Sequence, residues 1–188
     1  MIITIGRECG SDGYTVGKEL AQIYQIPIYS RKELIEKAKE NGVYERMPNF
    51  FSEKPVNSLL YAIAAGEEMT DTGKIPLEAL KSTVGEGDCI VIGRCGNFAF
   101  RDRADCISVF LHGAIEARIQ RMMEYRGIDR KEAKRLIEKT DRRRASFQKY
   151  YTGEIWGEAD RYDLCLDSAR LGIAGTVQMI QEYIRRTL

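Results

Sequence analysis

The chain has a single histidine, His112, and its five cysteines include no C-x-x-C pair. A zinc centre needs several such ligands at close spacing, so none is expected. Cys89, Cys106 and Cys165 lie in the apolar stretches DCIVIG, DCISVF and DLCLD and read, with Cys9 and Cys95, as small core residues of a reducing compartment. No apolar run approaches the roughly 18 residues needed to cross a bilayer. The opening MIITIGRE has neither a basic start nor a long apolar stretch, so no signal peptide and no membrane contact are expected, and the cytoplasm is the expected location. Repeats and low-complexity linkers are also missing. The net charge is only +1, which argues against a general polynucleotide binder.

What is present is ordinary in composition and uneven in arrangement. With 188 residues, 44% of them hydrophobic, the chain suits one domain that buries about two-thirds of its unfolded surface. Between Arg118 and Lys149 there are twelve Lys or Arg against five Asp or Glu, so one segment carries the positive field and points to an anionic ligand.

Short continuous apolar runs at 2–6, 89–93, 106–112 and 162–167 read as strands covered on both faces, and IPIYS adds a short one. Val16, Leu20 and Ile23 place a helix over Gly13–Tyr24. Ser30 and Glu33 form a capping box for a helix that stops at Asn41-Gly42. Further helices are expected over 56–69, from Pro76, over AIEARIQRMMEYR up to Gly127, from Asp129 onward, and at the end of the chain. Alternating strands and helices imply a three-layer α/β fold with a parallel five-stranded sheet.

The stretch GRECGSDGYTVGKEL follows the first strand and opens the first helix. Free amides and a helix's positive end suit a phosphate there, although a merely tight turn at Gly10 and Gly13 explains the glycines as well. The pattern G-x-x-x-x-G-K-[ST] occurs nowhere, and the only Gly-Lys pair, Gly17-Lys18, falls inside the helix. A replacement cation would come from Arg7 or from Lys18. Lys18 lies about 7.5 Å further along the axis, which favours Arg7. Asp12 would repel a triphosphate unless a metal ion or an arginine intervenes.

In the basic helix Arg135, Lys139, Arg142 and Arg143 share one face, either as a solvated stripe or as phosphate ligands. Arg94, in IGRCGN beyond a strand's C-terminal edge, is either an acceptor ligand or a structural ion pair. Phe147, Tyr150, Tyr151 and Trp156 either stack a base or form a satellite core. His112 reads as an acid–base group or, more simply, as a structural residue. Asp167-Ser168 reads equally as part of a nucleotide site or as a helix cap.

Four segments, ITIGRECGSDGYTVGKELAQIYQIPIYSRKEL, IVIGRCGNFAF, VFLHGAIEARIQRM and DRRRASFQKYYTGEIWGEADRYDLCLDSARLG, together resemble the cytidylate kinase-like family, relatives of the P-loop nucleoside monophosphate kinases. The loop departs from the family's pattern, with Arg7, Asp12, Gly13 and Tyr14 where GxSGSGKGT has Gly, Gly, Lys and a small residue. The resemblance implies a P-loop NTPase-like fold, a reduced acceptor segment over 43–86 and an arginine-bearing lid over 127–157. It implies ATP and Mg²⁺ as cofactors, nucleotides as partners, and phosphoryl transfer to a nucleoside monophosphate or similar small acceptor. A nucleotide-binding sensor that does not turn over is the alternative, favoured by the missing lysine. The implied donor-phosphate set is Arg7, Gly10, Ser11, Asp12, Gly13, Tyr14, Thr15 and Lys18, with Thr15 also at the metal. Arg94, Arg118 and Asp141 are expected at the acceptor, and Arg121 and Arg143 at the transferring group.

Overall fold

A computed structural model of the chain describes residues 1–53 and 74–188. The helix expected over 56–69, and the middle of the expected acceptor segment, lie outside the described residues. Five strands run parallel: β1 (Ile2–Arg7), β2 (Ile28–Tyr29), β3 (Cys89–Ile92), β4 (Cys106–His112) and β5 (Leu164–Asp167). They lie in the order β2-β3-β1-β4-β5, so β1 sits at the centre. Ile2–Ile5 pair with Cys89–Ile92 on one side, and Ile2–Arg7 with Cys106–Leu111 on the other.

In β1, β3 and β4 the continuous apolar runs are explained by cover on both faces, whereas β5 is an edge strand and Cys165, expected in the core, is exposed there. Because side chains alternate across a strand, Ile3, Ile5, Ile90, Ile92, Val109 and Leu111 share one face. There they meet Val16 and Leu20 of α1 (Gly13–Tyr24) and Val177, Ile180 and Ile184 of the C-terminal helix Ser168–Thr187. The opposite face sets Ile2, Cys89 and Val91 against Leu34 and Ala38 of α2 (Arg31–Glu40), Phe50 and Phe51 of α3 (Pro48–Ser52), and Leu77 and Leu80 of α4 (Lys74–Val84). Glu33 closes the expected capping box by accepting from the Ser30 amide at 3.0 Å.

α5 (Gly96–Ala99) follows β3, α6 (Ile115–Arg126) follows β4, and α7 runs unbroken over Arg130–Thr152. Gly127, with φ of 62°, ends α6. The Asp129 side chain accepts from the Glu132 amide to start α7. The segment expected as a lid is thus largely one helix of 23 residues, about 35 Å long. Cys9, Ile119, Met122, Ala133 and Ile137 form a third apolar cluster that ties α6 and α7 to the loop after β1.

The last helix, α8 (Ser168–Thr187), begins earlier than its apolar period suggests, and Gly172 breaks its regular geometry. Asp167 caps it through Oδ1, which accepts from the Ala169 and Arg170 amides. Of the two readings of Asp167-Ser168, the cap is the one the geometry shows. Phe147 and Tyr151 are not a satellite but part of the core on the α2–α4 face of the sheet, with Tyr150 packed against it, while Trp156 packs separately on Phe110. Phe147 lies 5.6 Å from Phe50 and 4.6 Å from Tyr151, and Trp156 stands edge-on to Phe110 at 5.2 Å. No helix among the described residues is long and apolar enough to cross a membrane.

Candidate functional site

The C-terminal edge of β1 and β3 gathers the chemistry, as expected for an open parallel sheet. Arg7 ends β1, and its side chain runs across the start of α1. A Cβ on Gly13 would stand 2.8 Å from Arg7 Cγ, and one on Gly93 only 2.2 Å from Arg7 Nη1. The Arg7 side chain thus lies with its methylenes against Gly13 and its guanidinium against Gly93, reaching from the α1 N-terminus to the loop after β3.

Three further arginines converge on it. Arg144 of α7 donates from Nη1 to the Arg7 carbonyl at 3.0 Å. Arg94 is fully buried, and its Nε and Nη2 donate to the Phe51 carbonyl at 3.1 and 2.8 Å. Arg94 Nη1 also lies 2.7 Å from Glu53 Oε1, and Arg143 Nη2 stands 3.8 Å from Glu53 Oε2. The buried Glu53 is thus the one carboxylate that meets this cluster among the described residues.

The electrostatics follow from that imbalance. Burial, and then the charge of Arg144, push the Arg7 guanidinium down to about 9. Burial likewise lowers Arg94 and would raise Glu53, but Arg94, Arg7, Arg144 and Arg143 outweigh burial and hold the Glu53 carboxyl below its usual range. Arg143 Nε and Arg144 Nε, both buried, have no hydrogen-bond partner among the described residues. A site with surplus guanidinium charge and unused donors is chemically suited to a phosphate.

The loop itself is organised by its own charges. Asp12, at the N-cap of α1, is held with φ of 57°. Its Oδ2 pairs with Arg121 Nη1 at 3.0 Å, and Arg121 Nη2 also donates to the Ser168 carbonyl at 3.1 Å. Asp12 Oδ1 is buried without a hydrogen-bond partner. Burial, and then the Asp12 charge, raise the nearby Tyr125 phenol, whose hydroxyl also faces Thr15. Ser11 is buried, its hydroxyl donating to the Glu8 and Leu111 carbonyls at 2.8 and 3.1 Å, and Gly10 takes φ of 83° against the Arg118 backbone. Tyr14 and Lys18 are exposed on α1, so of the two replacement cations only Arg7 reaches the cluster.

Backbone strain concentrates here. Asp12, Glu53, Arg94 and Cys95 have φ between 52° and 57°, a left-handed conformation that non-glycine residues seldom adopt and that clusters at functional sites.

The expected residues thus separate into groups. Arg7, Arg94 and Arg143 come together. Arg118 stays apart: its Nη1 donates to Asp141 Oδ2 at 2.6 Å and to the Cys9 carbonyl at 3.2 Å, and its Nε donates to the Gly113 carbonyl at 2.9 Å. Asp141 also accepts from the Cys9 amide at 2.7 Å, so the pair fastens α7 to the loop. Arg121 serves the Asp12 clasp, apart from the cluster. Arg135, Lys139 and Arg142 are exposed, which makes most of the anticipated basic face a solvated stripe.

Two residues of the cluster, Arg144 and Glu53, are not among the expected ones. Arg144 is inward because Ala133, Ile137, Phe147 and Tyr151 set the buried side of α7, and that period passes through Asp141 and Arg144. Glu53 carries no sequence signal, since it is placed by the end of α3.

The clasp at Asp141 makes a prediction. Asp141→Ala removes acceptors from the Cys9 amide and the nearly buried Arg118, so a loss of about 2–4 kcal/mol is expected in urea unfolding. Hydrogen exchange at the Cys9 amide should accelerate together with that loss, and unchanged exchange would refute the clasp.

A family model described as the cytidylate kinase-like family matches residues 2–170. The chain is similar to a cytidylate kinase of Methanopyrus kandleri, 28% identical over 198 residues, covering 98% of this chain and 93% of that protein. It is also similar to a crystal structure of a protein from Eubacterium ventriosum ATCC 27560, described only as uncharacterized. There the identity is 30% and the TM-score 0.77, with 99% of this chain and 98% of that chain covered.

Proposed function

The chain belongs to the cytidylate kinase-like family, and from that premise we propose that it transfers the γ-phosphoryl group of ATP to a nucleoside monophosphate, cytidylate-like, or to a similar small phosphorylated acceptor. The observation that carries this reading is the convergence of Arg7, Arg94, Arg143 and Arg144 on a single carboxylate, with buried N–H groups still unused. In the reaction an acceptor oxygen attacks the γ-phosphorus. A new P–O bond forms as the bond to the β–γ bridging oxygen breaks, and ADP departs with that electron pair. Such a transition state spreads charge over the transferred group and asks the protein for alignment and fixed cations.

The amides of Gly10 and of Asp12 to Thr15 would face the donor phosphates, the Ser11 amide being held by the Glu8 carbonyl at 3.3 Å, and Arg7 would supply the charge that a loop lysine supplies in the standard pattern. Arg94 and Arg144 would hold the acceptor's phosphate, and Arg143 would meet the group in transfer. Arg118, Asp141 and Arg121 act as positioning residues for the loop and α7. Mg²⁺ suits the orphaned Asp12 Oδ1 with the Thr15 hydroxyl, because this ion takes one or two protein oxygens and completes its shell with phosphates and water. When bound, it neutralises part of the donor's charge.

Asp12 also favours a second reading, a nucleotide-binding sensor that does not turn over, since its carboxylate already pairs with Arg121 in the loop. One experiment separates the two. The protein is incubated with ATP, Mg²⁺ and CMP, dCMP, UMP, AMP or GMP while diphosphates are followed and binding is measured. Turnover reduced about 10³-fold by Arg143→Ala supports transfer. Binding without product for any acceptor supports the sensor.

A further inference from the structure

Glu53 is not needed by the chemistry proposed above, yet it is the most constrained carboxylate of the site. It is 4% exposed, held at φ of 52° where α3 ends, and set among the guanidinium groups that the proposed reaction needs for phosphate. The cavity that Arg7, Glu53, Arg94 and Arg144 line together with Asn97, Phe147 and Tyr162 measures about 20 Å³, room for one water molecule and too little for a phosphate group. An incoming phosphate must therefore displace a side chain, and Glu53 is the one that carries its kind of charge.

Its hold is imperfect. Glu53 Oε1 is 2.7 Å from Arg94 Nη1, yet that nitrogen has no aligned hydrogen-bond partner. Glu53 Oε2 reaches Arg143 only at 3.8 Å. The Arg94 guanidinium would not move when Glu53 leaves, because its Nε and Nη2 are fixed on the Phe51 carbonyl. Arg94 is the fixed part of the receptor, and Glu53 is the occupant that can be exchanged.

We propose that Glu53 is a specificity-determining residue: a tethered monoanion in the arginine cluster that only an acceptor bearing a phosphate dianion displaces. The inference rests on reading this cluster as the acceptor's phosphate site. The physical reason is competition. A side chain fixed beside the cluster acts at a high effective concentration, so a free carboxylate that replaces it charge for charge gains nothing. A phosphate dianion brings a second charge and more oxygens to the same fixed guanidinium forks, and that surplus drives the exchange. Sugars and hydroxy acids whose only anion is a carboxylate are thereby turned away.

The test uses the full chain without ATP, titrated calorimetrically at about pH 8 with inorganic phosphate and, separately, with acetate. The wild type is expected to bind phosphate and to give no signal with acetate. Glu53→Gln keeps the shape and removes the competing charge. It should bind phosphate about tenfold more tightly and bind acetate measurably. Equal phosphate affinity in the two proteins, or acetate bound by the wild type as well as phosphate, overturns the proposal. If Glu53→Gln does not fold, Glu53→Asp decides the matter. It keeps the charge but withdraws it by one methylene, so phosphate should bind several-fold more tightly, and an unchanged affinity overturns the proposal. Anion selection that follows residue 53 while no nucleoside monophosphate is phosphorylated would sink the kinase reading alone. Turnover with anion selection independent of residue 53 would sink this inference alone.

Discussion

Replacing Arg7 with methionine is expected to lower phosphoryl transfer to the best acceptor about 10³-fold while leaving the urea midpoint unchanged or slightly raised. The two halves of that expectation have one cause. Arg7 lies among Arg94, Arg143 and Arg144 with only Glu53 among the described residues to balance them, and burial together with Arg144 already disfavours its charge. Removing it relieves repulsion in the free protein and deletes a cation from the transition state. Activity and stability then move in opposite directions, as they do where a fold holds a strained functional site. Steady-state turnover and urea unfolding on the same preparation check it. A variant that unfolds early with its turnover intact would show that Arg7 is a packing residue.

Arg94→Met should have the largest effect on stability, a loss of about 3–5 kcal/mol in the same unfolding measurement. Methionine fills much of the volume, so the loss is electrostatic in origin. The Phe51 carbonyl loses two donors, at 3.1 and 2.8 Å, and Glu53 loses its nearest cation among the described residues while it is 4% exposed. Glu53 would retain Arg7, Arg143 and Arg144 around it, which places the expected value toward the lower end. A loss below about 1 kcal/mol would mean that the segment ending at Glu53 is held by its aromatic contacts alone.

The sheet and most helices were legible because each is announced locally. IITIG, CIVIG and CISVFLH are too continuous for a one-sided sheet, and β1, β3 and β4 are covered on both faces. The capping box at Ser30 and Glu33 and the stop at Gly127 fall where their chemistry requires. The site was legible only where charge and chain position coincide. Arg7 can be placed because it ends a strand and precedes the loop. Arg142, Arg143 and Arg144 are consecutive on a helix, so charge cannot choose among them, and the inward pair follows from the apolar residues that dock α7. Arg118 and Asp141 look like ligands by type, but they bond to each other and to Cys9 because the α6–α7 packing brings them together. Glu53 was illegible because a carboxylate next to arginines brought from residues 7, 94, 143 and 144 is a product of the tertiary fold.

The length of α7 has a mechanical consequence. Its middle is fastened to the loop after β1 through Asp141, its next turn carries Arg143 and Arg144, and its far end is pinned in the aromatic core through Phe147 and Tyr151. An unbroken helix has no joint at which the arginines could swing away by themselves. Traffic through the cluster must then pivot the whole rod or proceed by rotamer changes alone, and the slower of these would set the pace of product escape.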